Sequence, residues 1–312
     1  MENMIDMLKT YFKADKYDTA HLSFLSCSLL TALITLFVVG FIFYTALPVF
    51  ESQGFFNFLL GEEWSYDDSI YGIKIFIVGT LIVTTLTLIL AVPLSLFTAI
   101  FLSEIAPPKI AETIRPLIEL LVGIPSVVYG IFGLYVIGNI FENYLDPIID
   151  HYFGFIPIFR DVSEGSGNGV LLASTVLAIM ILPTIVSISE DAMKAVPYSY
   201  REGSFALGAT KWETIREIVL PTASGGIMSA IILGTMRAMG ETMAIVMLLG
   251  NSLKVPSSVF DTSYAMTSKI LNDIGYHVAI EEHRSAIFGI AAVLFAIEIV
   301  FVGLARKIGG NR

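Results

Sequence analysis

An arginine and a glutamate four positions apart, inside an otherwise apolar run, are the residues best placed to do chemistry in this chain. They are Arg237 and Glu241, within ASGGIMSAIILGTMRAMGETMAIVMLLGN at 223–251. An ionised side chain at mid-depth in a bilayer costs about 3 kcal/mol on insertion scales, so such residues usually mark a site or a pathway. Four-residue spacing puts both on one helix face. Two readings follow. Paired, the two are neutral overall and lock helices together; alternatively, the arginine fork is matched to a tetrahedral oxyanion. In the second case Glu241 orients the fork, or repels the anion so that it is not trapped. Thr242 adjoins the pair. Ser126 and Tyr129 could extend a path, although the glycines around them, Gly123, Gly130, Gly133 and Gly138, also fit simple close packing of helices.

No other nucleophile or ligand cluster stands out. Cys27 is the only cysteine and lies within an apolar run, so the sequence holds no disulfide framework or thiolate metal site. His21, His151, His277 and His283 are scattered at span ends and loops, as interfacial polar residues are.

The elements that must position the pair belong to a membrane protein. Of 312 residues, 55% are hydrophobic and only 15% charged, against about 25% charged in a soluble domain. Runs long enough to cross hydrocarbon recur near 21–47, 72–103, 112–141, 169–189, 223–250 and 285–305. The expected fold is therefore all-α, a polytopic bundle of six transmembrane helices. Acidic Glu2 and Asp6, and the lack of a small-residue cleavage site, argue against a cleaved signal. Residues 1–20 are expected to form a cytoplasmic N-terminal segment, either a helix lying on the membrane or a frayed leader. With both termini cytoplasmic, Lys9, Lys109, Arg115, Lys194, Arg201 and Lys211 fall inside, as the positive-inside rule requires. The acidic excess behind the net charge of −10 then lies mostly in the outer loops. Those loops are either solvated surface or a docking face for a basic partner. Pro93, Pro125 and Pro183 each remove a helix hydrogen bond and invite a kink. The external segments at 48–71, 142–168 and 251–284 have room for short helices, and SEGSGNG at 163–169 reads as a connector.

Residues 190–221 are too polar to span. Ser199 with Glu202, and Thr210 with Glu213, both fit the capping box of a helix start, with Pro197 in the first turn as the alternative first start. Gly208 supplies the left-handed residue that ends the first helix, and Pro221 is expected to end the second. Such a pair would expose Tyr200, Phe205 and Leu207, then Trp212, Ile215 and Ile218. It could rest on the bilayer or fill a groove on a soluble subunit.

Glu202, Gly203, Ser204, the spacing to Gly208, and Ile218-Val219-Leu220-Pro221 resemble the EAA loop of ABC importer permeases. Gly203 and Ser204 replace that family's two alanines; both are small, though Gly203 weakens a helix. RAMGETMA at 237–244 with Gly250-Asn251, and GIPSVVYGIFGL at 123–134, resemble the fifth and third helices of phosphate-specific permeases, of the PstC type rather than its PstA partner. The resemblance implies a type I importer permease domain over about 71–307, preceded by a first transmembrane helix and external loop at 21–70. It implies a coupling loop at 197–221 in which Glu202, Gly203, Ser204, Phe205, Leu207 and Gly208 meet the ATPase, and a phosphate pathway drawing on Arg237, Glu241, Thr242 and Ser126. The implied partners are a PstA-like permease, two PstB-like ATPases and an external PstS-like phosphate-binding protein. No G-x-x-x-x-G-K-[ST] stretch occurs in the sequence, so no cofactor is expected on this chain, ATP and Mg being bound by the ATPases. The chain is then a transport subunit of the plasma membrane rather than an enzyme. Other oxyanions (sulfate, molybdate, tungstate), and an ion-coupled carrier or membrane phosphatase, are the competing functions.

Overall fold

Where no water can take up free backbone groups, apolar runs must close their own hydrogen bonds, and helices do so. The computed structural model describes residues 19–160 and 167–309. The expected leader helix, the first half of the 163–169 connector and the charges Asp161, Glu164 and Arg312 lie outside the described residues. In chain order the elements are α1 (Thr19–Gln53), α2 (Phe55–Leu60), β1 (Trp64–Ser65), β2 (Ile70–Tyr71) and α3 (Lys74–Ile105). There follow α4 (Pro108–Val122), α5 (Ser126–Phe153), α6 (Val170–Lys194), α7 (Tyr198–Ala206) and α8 (Lys211–Gly240). The chain ends with α9 (Met243–Leu248), α10 (Met266–His277) and α11 (Glu281–Gly309). The architecture is helical as expected, apart from an antiparallel hairpin in which Trp64 pairs with Tyr71.

Five helices, α1, α3, α6, α8 and α11, are long and apolar enough to cross a membrane, and the bent pair α4–α5 supplies a sixth. The 112–141 run is not one straight helix. The chain turns by 93° between α4 and α5, at Gly123-Ile124-Pro125. The kink invited by Pro125 is thus a full break, since the proline offers no amide and biases its predecessor away from helix. At 15 residues, α4 reaches only about 22 Å, short of hydrocarbon thickness. It lies with Ala111, Ile114 and Ile118 against the cluster formed by Val186, Met193 and Val219.

The bundle is organised around α6, the most deeply buried span. Hydroxyls weld it to α3: Ser174 Oγ donates to Val83 O at 3.2 Å, and Thr87 Oγ1 donates to Ser174 O at 3.3 Å. Short polar side chains do this work in membranes, where apolar contact alone gives helices no preference over lipid. At one end of α6, Glu190 is buried and takes hydrogen bonds from Arg115 of α4 and, at 2.7 Å, from Lys194. At the other end, the 249–265 loop supplies carbonyls to the free first-turn amides: Val170 N reaches Asp261 O at 3.0 Å and Leu171 N reaches Val259 O at 2.7 Å. Asp261 itself collects Ser257 N, Ser257 Oγ and Ser258 N. Burial would raise its pKa, but these bonds hold the carboxyl below its ordinary value.

The last span, α11, carries α1 on its flank, with Val49 N bonded to Ser285 Oγ at 2.8 Å and Phe41 edge-on to Phe288. Beside these, the hairpin and α10 enclose one buried cation. Lys269 is 7% exposed, sits 4.9 Å from the Trp64 ring and pairs with Asp273 at 2.7 Å. Tyr66 also donates to Asp273 and stacks on His277. Burial pushes the Lys269 pKa down, and Asp273 pulls it part of the way back. Removing one partner of such a pair strands the other, at about 3–5 kcal/mol. Asp273→Ala, which strands the caged Lys269, is therefore expected to lower the melting temperature of the detergent-solubilised protein clearly more than Asp273→Ala combined with Lys269→Met, which strands no charge and keeps the aromatic cage filled. Equal shifts would show that the stranded Lys269 carries no such cost.

Candidate functional site

Two regions were expected to carry function, and the structure builds each from a local interruption of helix. The first is the 195–220 loop. Helix α7 begins directly after Pro197, and no side chain caps it, so the Ser199–Glu202 box does not form. Pro197, at φ −56, is the N-cap rather than a first-turn residue, so the helix starts between the two expected positions. The Thr210–Glu213 box does form, with Thr210 Oγ1 accepting from Glu213 N at 3.3 Å and Glu213 Oε2 accepting from Thr210 N at 2.7 Å. Gly208, at φ +86, makes the left-handed turn between the two helices.

Pro221 does not end the second helix. The helix runs on from Lys211 through a wide π turn at Ile215–Val219 and becomes the span α8. The extra residue in that turn lies just upstream of the proline, where a hydrogen bond is lost in any case. A second correction follows from this continuity. Ile215 is 2% exposed, packed beneath the loop rather than displayed by it. Ser204 likewise points inward, its hydroxyl 2.9 Å from that of Thr214. The displayed surface consists of Glu202, Gly203, Phe205 and Leu207 of the first arm, with Tyr198, Tyr200 and Trp212 beside them. Leu207 is 91% exposed. No neighbour lies within 4 Å of where a Gly203 side chain would begin.

The second region is the run expected as a fifth span at 223–250. It is broken. Helix α8 ends at Gly240, Glu241 is extended (φ −67, ψ 130), and α9 begins at Met243. Arg237 and Glu241 therefore do not share a helix face, and among the described residues no ion pair joins them. Glu241 instead turns its carboxylate onto the new helix, Oε1 accepting from Ala244 N at 3.2 Å. Its backbone carbonyl, left without a helical donor, accepts from Thr267 Oγ1 of α10 at 2.9 Å. Thr242 Oγ1 bonds back to Gly240 O at 3.3 Å. Arg237 turns to α6, where Nη1 donates to Thr184 Oγ1 at 3.2 Å. Helix α9 then packs on the start of α5: a side chain at Gly130 would strike Met247 at 2.7 Å. Asn251, at φ +51, closes α9 by donating to Val246 O at 2.7 Å.

The expected pathway residues thus fall into two groups. Arg237, Glu241 and Thr242 flank one helix break. Ser126 opens α5, with Tyr129 one turn further on. The Tyr129 hydroxyl crosses the other break to donate to Leu121 O at 3.0 Å. Sequence reasoning missed Thr184, whose only signal is a hydroxyl beside Pro183 in an apolar run. It also missed the pairing of Arg201 with Glu104, signalled only by opposite charges at the ends of two spans.

Comparison with known proteins places these features in context. The family model described as "Binding-protein-dependent transport system inner membrane component" matches residues 91–308. The "Probable ABC transporter permease protein YqgH" of Bacillus subtilis is 41% identical over 82% of this chain and 78% of its own length. The "Phosphate transport system permease protein PstC" of Pasteurella multocida is 37% identical over 89% of this chain and 85% of its own. Among solved structures, a bacterial alginate ABC transporter in complex with its substrate-bound periplasmic protein superposes with a TM-score of 0.59 at 17% identity, covering 91% of this chain and 93% of that one. An inward-facing MetNI methionine ABC transporter gives 0.54 at 16% identity, covering 79% and 98%.

Because Glu241 is held by α9 and Arg237 by α6, the two are expected to act independently on stability. Melting temperatures of Arg237→Ala, Glu241→Gln and the double variant should be additive to within about 0.5 kcal/mol. A larger coupling would restore the direct salt bridge.

Proposed function

The chain belongs to the family of binding-protein-dependent transport system inner membrane components, and on that premise we propose that it is the PstC-type permease subunit of an ATP-driven phosphate importer. The observation that carries the anion assignment is the separation of Arg237 from Glu241. A guanidinium locked to its own carboxylate has little left to offer a ligand. Here one donor goes to Thr184 and, among the described residues, the others meet no protein oxygen. A planar fork with open donors suits a tetrahedral dianion or monoanion of phosphate. Glu241 caps α9 and sits beside the path, where its charge keeps the anion from settling.

In this reading both termini and the 195–220 loop face the cytoplasm, where the Lys and Arg excess lies. A family of this kind works with ATPase subunits and a substrate-binding protein. We assign the finer identities as a PstA-like permease completing the pathway, two PstB-like ATPases holding ATP and Mg, and a PstS-like phosphate donor outside. Closure of the ATPases pushes the displayed face of α7, the bundle switches from inward- to outward-facing, and the donor releases phosphate toward Arg237. Ligand and nucleotide then act on one equilibrium, as coupling between distant sites requires.

Two experiments test this reading. In vesicles carrying the whole complex, phosphate uptake should require ATP and resist competition by sulfate, molybdate or tungstate. Arg237→Ala should lower that uptake at least about tenfold, equivalent to about 1.4 kcal/mol. Uptake without ATP, or unchanged uptake by this variant at equal expression, would overturn the reading. For the docking face, Leu207→Asp is expected to release the ATPase subunit on purification, while Asp at the non-loop position Leu60 does not.

A further inference from the structure

Helix α7 is nine residues long, well below the length at which a helix is stable in water by itself. Only Ser204 of its residues is buried. Such a segment would move under load without moving anything else, unless something fixes it to the spans. Ser204 fixes it to Thr214 at the start of α8. The other attachment is Arg201. Nη2 donates to Glu104 Oε1 at 2.6 Å and to Met193 O at 2.9 Å, Nε donates to Glu104 Oε2 at 3.3 Å, and Nη1 donates to Val196 O at 2.6 Å. The two side chains are 12% and 9% exposed, so this is a shielded, two-pronged pair rather than a surface contact. Glu104 is presented by the wide turn Phe101–Ile105 that ends α3. Met193 and Val196 lie at the end of α6, where carbonyls lack helical donors and a cation is favoured.

We propose that Arg201 is the positioning residue of coupling: it makes α7, the end of α3 and the end of α6 move as one body. The inference rests on the coupling-loop reading above. A displacement of α7 then reaches two spans through four short, directional bonds, and only arginine can make all four at once. Lysine keeps the charge but has no planar fork for Glu104. Glutamine at 104 still accepts from the fork.

The test uses the complete complex, wild type and with Arg201→Ala, Arg201→Lys or Glu104→Gln, reconstituted in vesicles with the binding protein and ATP. It reads three quantities: ATPase subunit retained, ATP hydrolysed, and phosphate imported per ATP. All variants are expected to retain the ATPase subunit and hydrolyse ATP. Phosphate per ATP should fall about tenfold in Arg201→Ala, by less in Arg201→Lys, and least in Glu104→Gln. A merely structural arginine would lower all three quantities together. An unchanged ratio in Arg201→Ala overturns the proposal, as does loss of the ATPase subunit from both Arg201 variants. A wild-type chain that binds no ATPase overturns the coupling-loop reading beneath it, and the two failures are thereby told apart.

Discussion

The demand that every backbone polar group be satisfied away from water governs this molecule more than any single contact. Continuous helices meet that demand at no further cost, so each interruption within the bundle has to be repaired by a named group. The break after Gly240 is repaired by the Glu241 carboxylate on Ala244 N and by Thr267 on Glu241 O. The break before Pro125 is repaired by the Tyr129 hydroxyl on Leu121 O. These repairs place polar side chains at both breaks. The same constraint that makes the breaks expensive therefore explains why the candidate pathway residues cluster at them.

Charge placement follows from the same principle. Buried charges in the described chain are shared rather than solitary. Glu190 takes both Arg115 and Lys194, Glu104 takes Arg201, and Asp273 takes Lys269 and Tyr66. Each arrangement ties two or three segments together: α4 to α6, α7 to α3, α10 to the hairpin. Two part-buried charges depart from this: Arg237 is held by one neutral hydroxyl, and Glu298 of α11 has no hydrogen-bond or ion-pair partner among the described residues. A guanidinium left under-used in a membrane interior is costly to keep, and a ligand anion is the partner that would offset the cost.

Much of this was legible in the sequence because it is local. Apolar run length gave the spans, Thr210 with Glu213 gave a cap, and Gly208 gave a turn, each set by a few consecutive residues. The failures share a cause as well. Four-residue spacing placed Arg237 and Glu241 on one face only if the helix continued, and nothing in RAMGETMA announces a break except Gly240. Pro221 reads as a stop, yet a π turn upstream lets the helix absorb it. Ser199 with Glu202 satisfies a capping pattern that Pro197 makes unnecessary. Thr184 and Glu104 were invisible because their meaning lies in residues 53 and 97 positions away, and long-range pairing has no signature in one sequence.

Helix α6 connects the two interruptions. It carries Thr184, the one described partner of the Arg237 side chain, and nine residues on it carries Met193, whose carbonyl accepts from Arg201. Those positions are about 14 Å apart along the axis. Between them the buried Glu190 holds Arg115 of α4, so the segment cannot slip against α4 without breaking that ion pair. A rigid rod gripped at one end by the loop and touching the arginine part-way along is a physical link, not merely a line of neighbours. Such a rod transmits only if it has two seats, and packed interfaces tend to offer discrete seats rather than a continuum. The hydroxyl bonds that join Ser174 of α6 to Val83 and Thr87 of α3 indicate which body travels with it. Motion of the loop would thus carry α3 and α6 together, and two hydroxyl contacts cross from that body to α8: Arg237 Nη1 donating to Thr184 Oγ1, and the Ser204–Thr214 pair.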